Sequence, residues 1–151
     1  MAKLKQFQTA LKKYRHLAID SSIFIYQFEQ HKTFEPLCSI VFEQLSHGKI
    51  VVSTSAITVA EVLTQPFQKK NIEVIALYKE VFHLLPHFSI IEVDYTVSLI
   101  AAQLRAEYAI LLPDALHIAA AIHSGATAFI TNDKQLKRVR EIPIICLQDF
   151  V

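Results

Sequence analysis

At 151 residues the chain has the size of one domain, residues 1–151, long enough to bury a core without disulfide or metal staples. Its apolar fraction of 52% with only 2 glycines excludes a disordered chain or a β-sandwich built on many tight turns, and points to a helix-rich α/β protein. With 15 basic and 14 acidic residues, the net charge of +1 carries no global signature of polyanion binding.

Leu4, Phe7, Leu11 and Tyr14 recur at helical spacing among lysines and predict a basic amphipathic helix over 2–14, within an N-terminal extension spanning residues 1–16. Leu17-Ala18-Ile19 reads as a short strand ending in Asp20, and Ile23 to Phe28 as a helix capped by Asp20 or by Ser21-Ser22. A helix over 34–46 stops at His47-Gly48, and Ile50 to Ser53 is a β-branched strand. Thr54-Ser55 offers an N-cap for a helix from Ala56 to about Thr64, which Pro66 is expected to end. Inside it Glu61 is flanked by Val59, Ala60, Val62 and Leu63, leaving little polar face for a surface glutamate.

Residues 72–85 are helical by period and closed by Pro86; a strand is expected over 89–93 and a long helix over 95–108. Pro113-Asp114 marks a helix start at or near Asp114, because proline is tolerated in a first turn where its missing N–H has no partner to lose. Ser124-Gly125 stops that helix, and an apolar strand over 126–130 delivers Thr131-Asn132-Asp133 to its C-terminal end. A short basic helix from Lys134 and a last strand over 142–145 complete the chain. Strands alternating with helices predict a mainly parallel sheet covered on both faces. No apolar run approaches the roughly 20 residues of a membrane span and no signal-peptide core is visible, so a soluble cytoplasmic protein is expected. Cys38 and Cys146 read as reduced, packed thiols.

Asp20, Glu61, Asp114 and Asp133 each have an ordinary explanation: two helix caps, one helix-dipole partner and one side chain turned to solvent. Together they are harder to dismiss. In a parallel sheet with right-handed crossovers the strand ends carrying Asp20 and Asp133 open onto one edge, and helices starting past that edge bring Glu61 and Asp114 there. Clustered carboxylates repel, and no lysine or arginine neighbours Asp20, Glu61 or Asp114 in sequence. An all-oxygen ligand set favours Mg²⁺ or Mn²⁺, which polarise phosphoryl oxygens and activate water for phosphodiester cleavage.

The succession Ile19-Asp20-Ser21-Ser22, Thr58-Val59-Ala60-Glu61-Val62, Pro113-Asp114-Ala115-Leu116-His117-Ile118-Ala119-Ala120 and Ile130-Thr131-Asn132-Asp133 resembles the PIN-domain ribonuclease family, which includes VapC-type toxins. The likeness runs from Leu17 to Ile145 and leaves out the basic N-terminal helix. It implies a three-layer α/β/α fold with a mainly parallel central sheet, and a Mg²⁺- or Mn²⁺-dependent endoribonuclease acting on RNA. A homodimer and a cognate antitoxin partner are further implications. Asp20, Glu61, Asp114 and Asp133 match the family's acidic quartet, with catalytic and metal-binding roles, and Ser22 and Thr131 match its small hydroxyl positions.

Lys134 and Arg138, four apart beside Asp133, are expected to share a helix face that contacts RNA phosphates. His117, one turn after Asp114, reads as a helix-face or supporting histidine rather than a ligand. His83 and His87 have the spacing of a metal pair, but Pro86 falls between them. The competing readings are a non-catalytic PIN-like module that binds RNA or protein, and a phosphohydrolase or phosphoacceptor domain. For the latter, Asp20 lacks the second acid of an Asp-x-Asp nucleophile.

Overall fold

A computed structural model describes residues 1–151. Its strands are β1 (His16–Ile19), β2 (Val51–Ser55), β3 (Phe88–Ile91), β4 (Ala128–Thr131) and β5 (Ile144–Cys146). They form one sheet in the order β3-β2-β1-β4-β5, and every neighbouring pair is parallel. Parallel neighbours need crossovers, which the helices supply: α2 (Ser21–Phe28) and α3 (Glu35–Ser46) join β1 to β2, α4 (Ala56–Gln68) and α5 (Ile72–Leu84) join β2 to β3, and α6 (Tyr95–Tyr108) and α7 (Leu112–Ser124) join β3 to β4.

Because side chains alternate along a strand, each central strand feeds two cores. Leu17 and Ile19 of β1, with Ala128 and Ile130 of β4, pack in a cluster with α2, α3, α4 and α5. Ala18 and Phe129 point the other way, into a cluster with α6 and α7. There α7 buries Ala115, Ala119, Ala120 and Ala121, whose short side chains let the helix lie close to the strands. The three-layer α/β/α arrangement follows from these two interfaces. No helix is long and apolar enough to cross a membrane.

The basic N-terminal helix is α1 (Ala2–Leu11), which ends in a turn at Tyr14 rather than continuing through it. Phe7 and Leu11 on its apolar stripe are fully buried, and the Phe7 ring meets Phe150 edge-on at 5.1 Å. The extension thus docks on the C-terminal 3-10 turn, Leu147–Phe150.

The second strand runs over Val51–Ser55 and the third over Phe88–Ile91 rather than 50–53 and 89–93, and three further boundaries depart from expectation for local reasons. Pro66 lies inside α4 because it falls in the last turn: its ring forfeits one backbone bond, while Gln65 and Pro66 still accept from Lys69 and Asn71. β4 starts at Ala128 because the Ala126 N–H is already given to Ala121 in the C-cap around Gly125, a left-handed residue with φ 83°. β5 starts at Ile144 because Pro143 has no N–H to contribute.

The sheet grows from β1 through β2 to β3, then returns to the far side of β1 with β4. Beyond the carboxyl ends of β1 and β4 is therefore the topological switch point, where α/β sheets open a crevice. Register pairs Ile19 with Ile130, so Asp20 and Thr131 emerge side by side into it.

Candidate active site

Asp20 caps α2, and its carboxylate is tied down on both oxygens. Oδ1 accepts from the Ser22 backbone N–H at 3.0 Å and from the Ser22 hydroxyl, while Oδ2 accepts from Thr131 Oγ1 at 2.5 Å. Thr131 Oγ1 in turn accepts from the Asp133 N–H at 3.1 Å. One buried threonine thus ties the ends of β1 and β4 through the carboxylate. Burial raises the Asp20 pKa above the ordinary aspartate range, against the opposing pull of the hydrogen bonds from Ser22 and Thr131.

Glu61, on the exposed side of α4, lines neither of the two cavities at this edge and is tied to it through His117. Ser55 occupies the N-cap position of that helix without capping it; its Oγ pairs instead with His117 Nδ1 at 2.8 Å. The other ring nitrogen, Nε2, holds Glu61 Oε1. His117 is 3% exposed, so it is a buried bridge from the end of β2 to Glu61, and this bond keeps the Glu61 carboxyl below its ordinary pKa against the effect of burial. Thr54, the other expected cap, donates to the Ile19 carbonyl at 2.7 Å.

α7 begins at Leu112 with Pro113 in its first turn, which places Asp114 within that turn, where the dipole favours an acid. The Asp114 carboxyl is nonetheless raised, first by burial and then by the charge of Asp133, with Asp20 and Glu61 adding to it and His117 opposing. Of the four acids, Asp114 is therefore the one whose carboxyl senses the charges of the other three. Asp133 accepts from the Gln135 N–H at 2.9 Å and starts a 3-10 turn, Lys134–Arg138.

No three acids or histidines are drawn into a closed metal-holding group. Both oxygens of Asp20 and one each of Glu61 and Asp133 are engaged in hydrogen bonds. The ion pairs present are His117 with Glu61 and, at a distance from the crevice, Lys137 with Asp149, so no lysine or arginine neutralises Asp20, Asp114 or Asp133. Hard oxygen donors with uncompensated charge suit Mg²⁺ or Mn²⁺, and Mg²⁺ commonly binds through one or two carboxylates while keeping several waters.

A cavity of about 570 Å³ opens at this edge, lined by Asp20, Ser22, Thr131 and Asp133 together with Tyr26, Asn132, Lys134, Gln135 and Gln148. A neighbouring one of about 210 Å³ holds Asp114 and shares Asp133 and Gln135 with the first. Lys134 lines the larger cavity; Arg138 lines neither, and its Nε donates to the Gln135 carbonyl at 3.1 Å. The expected shared face fails because the segment is a 3-10 helix, in which residues three apart eclipse and residues four apart diverge by about 120°.

Ser55, Tyr26, Asn132, Gln135 and Gln148 were not singled out as site residues from sequence. A strand-end search extended to every strand would have reached Gln148, just past β5, and Ser55, the last residue of β2. Nothing local marks Tyr26, which reaches the crevice from the middle of α2.

The PIN domain family profile matches residues 17–142, leaving α1 outside. No curated protein matches the chain in sequence. Among solved structures, the fold is similar to a chain of VapBC2 from Rickettsia felis bound to a DNA fragment from their promoter, at TM-score 0.70 and 20% identity over 87% of this chain and 98% of that one. A chain of a toxin-antitoxin complex from Klebsiella pneumoniae matches at TM-score 0.66 and 20% identity, covering 87% and 97%. DNA-bound VapBC from Salmonella typhimurium matches at 0.65 and 16% identity, covering 88% and 98%.

Proposed function

The chain belongs to the PIN domain family, and from that premise we propose that it is a Mg²⁺- or Mn²⁺-dependent endoribonuclease that cleaves RNA phosphodiester bonds. The observation that carries this reading is Asp20 and Asp133 on the wall of the switch-point crevice, with Asp114 in the adjoining cavity under the charges of Asp133, Asp20 and Glu61, and no lysine or arginine paired to any of the four. Asp20, Glu61, Asp114 and Asp133 would hold the cation. When bound, it supplies Lewis acidity toward a phosphoryl oxygen and activates water.

The remaining roles fall to the chain itself. Ser22 and Thr131 fix the rotamer of Asp20. His117 holds Glu61 in the same way, and Lys134 on the cavity wall meets the phosphate backbone. Residues 1–151 act as one nuclease domain, with α1 closing its core. The similarity to chains of toxin-antitoxin complexes supports a cytoplasmic toxin with a cognate antitoxin partner, and the family resemblance a homodimer.

The test is cleavage of a labelled RNA pool with Mg²⁺, Mn²⁺ or EDTA, comparing the native chain with Asp114→Asn. Cleavage that needs the metal and falls at least about 100-fold in the variant is expected, since even supporting groups around metals cost 10–100-fold. RNA binding without cleavage in either metal would instead mark a non-catalytic PIN-like module. For the toxin role, expression of the native chain is expected to arrest growth and the product of an adjacent small gene to relieve it.

A further inference from the structure

We propose that Tyr26, Asn132, Gln135 and Gln148 form a base-reading subsite that takes one unpaired nucleotide of a single-stranded RNA next to the scissile phosphate. This rests on the nuclease reading and adds to it a determinant of sequence preference. The four side chains line the same cavity as Asp20 and Asp133, so a nucleotide seated there puts its phosphate beside the acids. At about 570 Å³ the cavity lies within the roughly 300–1,000 Å³ range of small-molecule sites.

Its chemistry is that of a base edge rather than of an apolar ligand, since only one of nine lining residues is hydrophobic. A hydrogen-bonded chain runs along this wall. Gln148 Nε2 donates to the Asn132 backbone carbonyl at 3.0 Å, and Asn132 Nδ2 donates to the Tyr26 hydroxyl at 3.0 Å. Those bonds fix the side chains of Gln148, Asn132 and Tyr26 while leaving the Gln148 Oε1 acceptor and the Tyr26 hydroxyl proton uncommitted. Asn132 Oδ1 lies buried on the same side chain, so the amide is held by its Nδ2 bond to Tyr26. Fixed amides offering donors and acceptors side by side read the edges of unstacked bases.

The Tyr26 ring is held rigidly as well. It stacks on Phe34 with centroids 4.9 Å apart and tilts against His31 at 4.8 Å, and His31 Nδ1 accepts from the Thr33 and Phe34 backbone N–H groups. A rigid aromatic edge beside fixed amides loses little conformational entropy when a base docks. Lys134 on the same wall supplies the positive charge for the nucleotide's phosphate.

The experiment titrates each of the four nucleoside 5′-monophosphates in EDTA, following the side-chain amide resonances of Asn132, Gln135 and Gln148. In parallel, a randomised RNA is cleaved in Mn²⁺ and its ends sequenced, for the native chain, Gln148→Ala and Tyr26→Phe. The expected result is one nucleotide bound roughly fivefold or more above the weakest, with shifts at those amides. The same base should be favoured at one position flanking the cut, and in Gln148→Ala the four affinities should converge to within about twofold. Equal binding of all four nucleotides, shifts confined elsewhere, or a preference that survives both variants overturns the subsite. Selective binding in EDTA without RNA cleavage in Mn²⁺ overturns the nuclease reading and supports the base site.

Discussion

His117 and Glu61, 56 residues apart in the chain, are joined by a hydrogen bond through Nε2 near the end of β2, with Ser55 on the other ring nitrogen, Nδ1. The pair connects α7, on one side of the sheet, to α4 on the other, and it sets the position of one of the four acids. His117→Ala leaves the buried Ser55 hydroxyl and Glu61 without their partner. A loss of about 1–3 kcal/mol is expected from urea denaturation at neutral pH, together with reduced RNA cleavage.

The same pair gives a pH dependence with a defined sign. Hydrogen bonding to His117 lowers the folded-state pKa of Glu61 beneath 4.5. A depressed acid contributes stability that is complete above its unfolded pKa and is lost as pH falls through the folded value. The native chain is therefore expected to be more stable than Glu61→Gln at neutral pH, and the gap to narrow below about pH 4.5. Denaturation midpoints that keep a constant gap down to pH 3 would contradict it.

Asp114 has the opposite sign. Its pKa is raised by burial and by Asp133, so its ionised form carries a penalty that is absent below the ordinary aspartate range and grows as pH rises through the raised value. In EDTA at neutral pH, Asp114→Asn is expected to melt higher than the native chain, by about 2–4 °C per kcal/mol relieved. Calorimetry with added Mn²⁺ should raise Tm for the native chain and far less for the variant. An unmoved native Tm would count against the metal.

Thr131 makes two bonds with one hydroxyl, donating to Asp20 and accepting from the Asp133 N–H. Thr131→Val keeps the shape and removes both, which is expected to cost about 1–3 kcal/mol and most of the cleavage rate. Thr131→Ser should recover most of both; equal loss in the two variants would mean that the methyl group, not the hydroxyl, matters.

Lys134 faces the cavity and Arg138 does not. Lys134→Ala is expected to weaken RNA binding and reduce the slope of log affinity against log salt by about one, while Arg138→Ala leaves the slope nearly unchanged. Fluorescence anisotropy over a salt series separates the two, and equal effects would restore the shared basic face.

The alternation of strands and helices, the two-sided parallel sheet and the acids at strand ends were readable from the sequence. Each is encoded locally, by the length of an apolar run, the missing N–H of a proline, or a glycine that accepts φ above zero. Asp20 and Asp133 drew attention because each follows a strand, and Glu61 because its sequence neighbours are apolar, although α4 runs on to Gln68 and gives Glu61 an exposed face shared with Ala60, Thr64 and Gln65. The tertiary structure decided which strand lies beside which, and hence that β1 and β4 flank the crevice. It also decided that His117 would reach across the edge to Glu61, that Arg138 would turn away from the cavity, and that Tyr26 and Gln148 would share its wall. Such relationships depend on register, on crossover side and on a 3-10 rather than an α-helical turn. They are set by packing between residues distant in the chain, and no local pattern carries them.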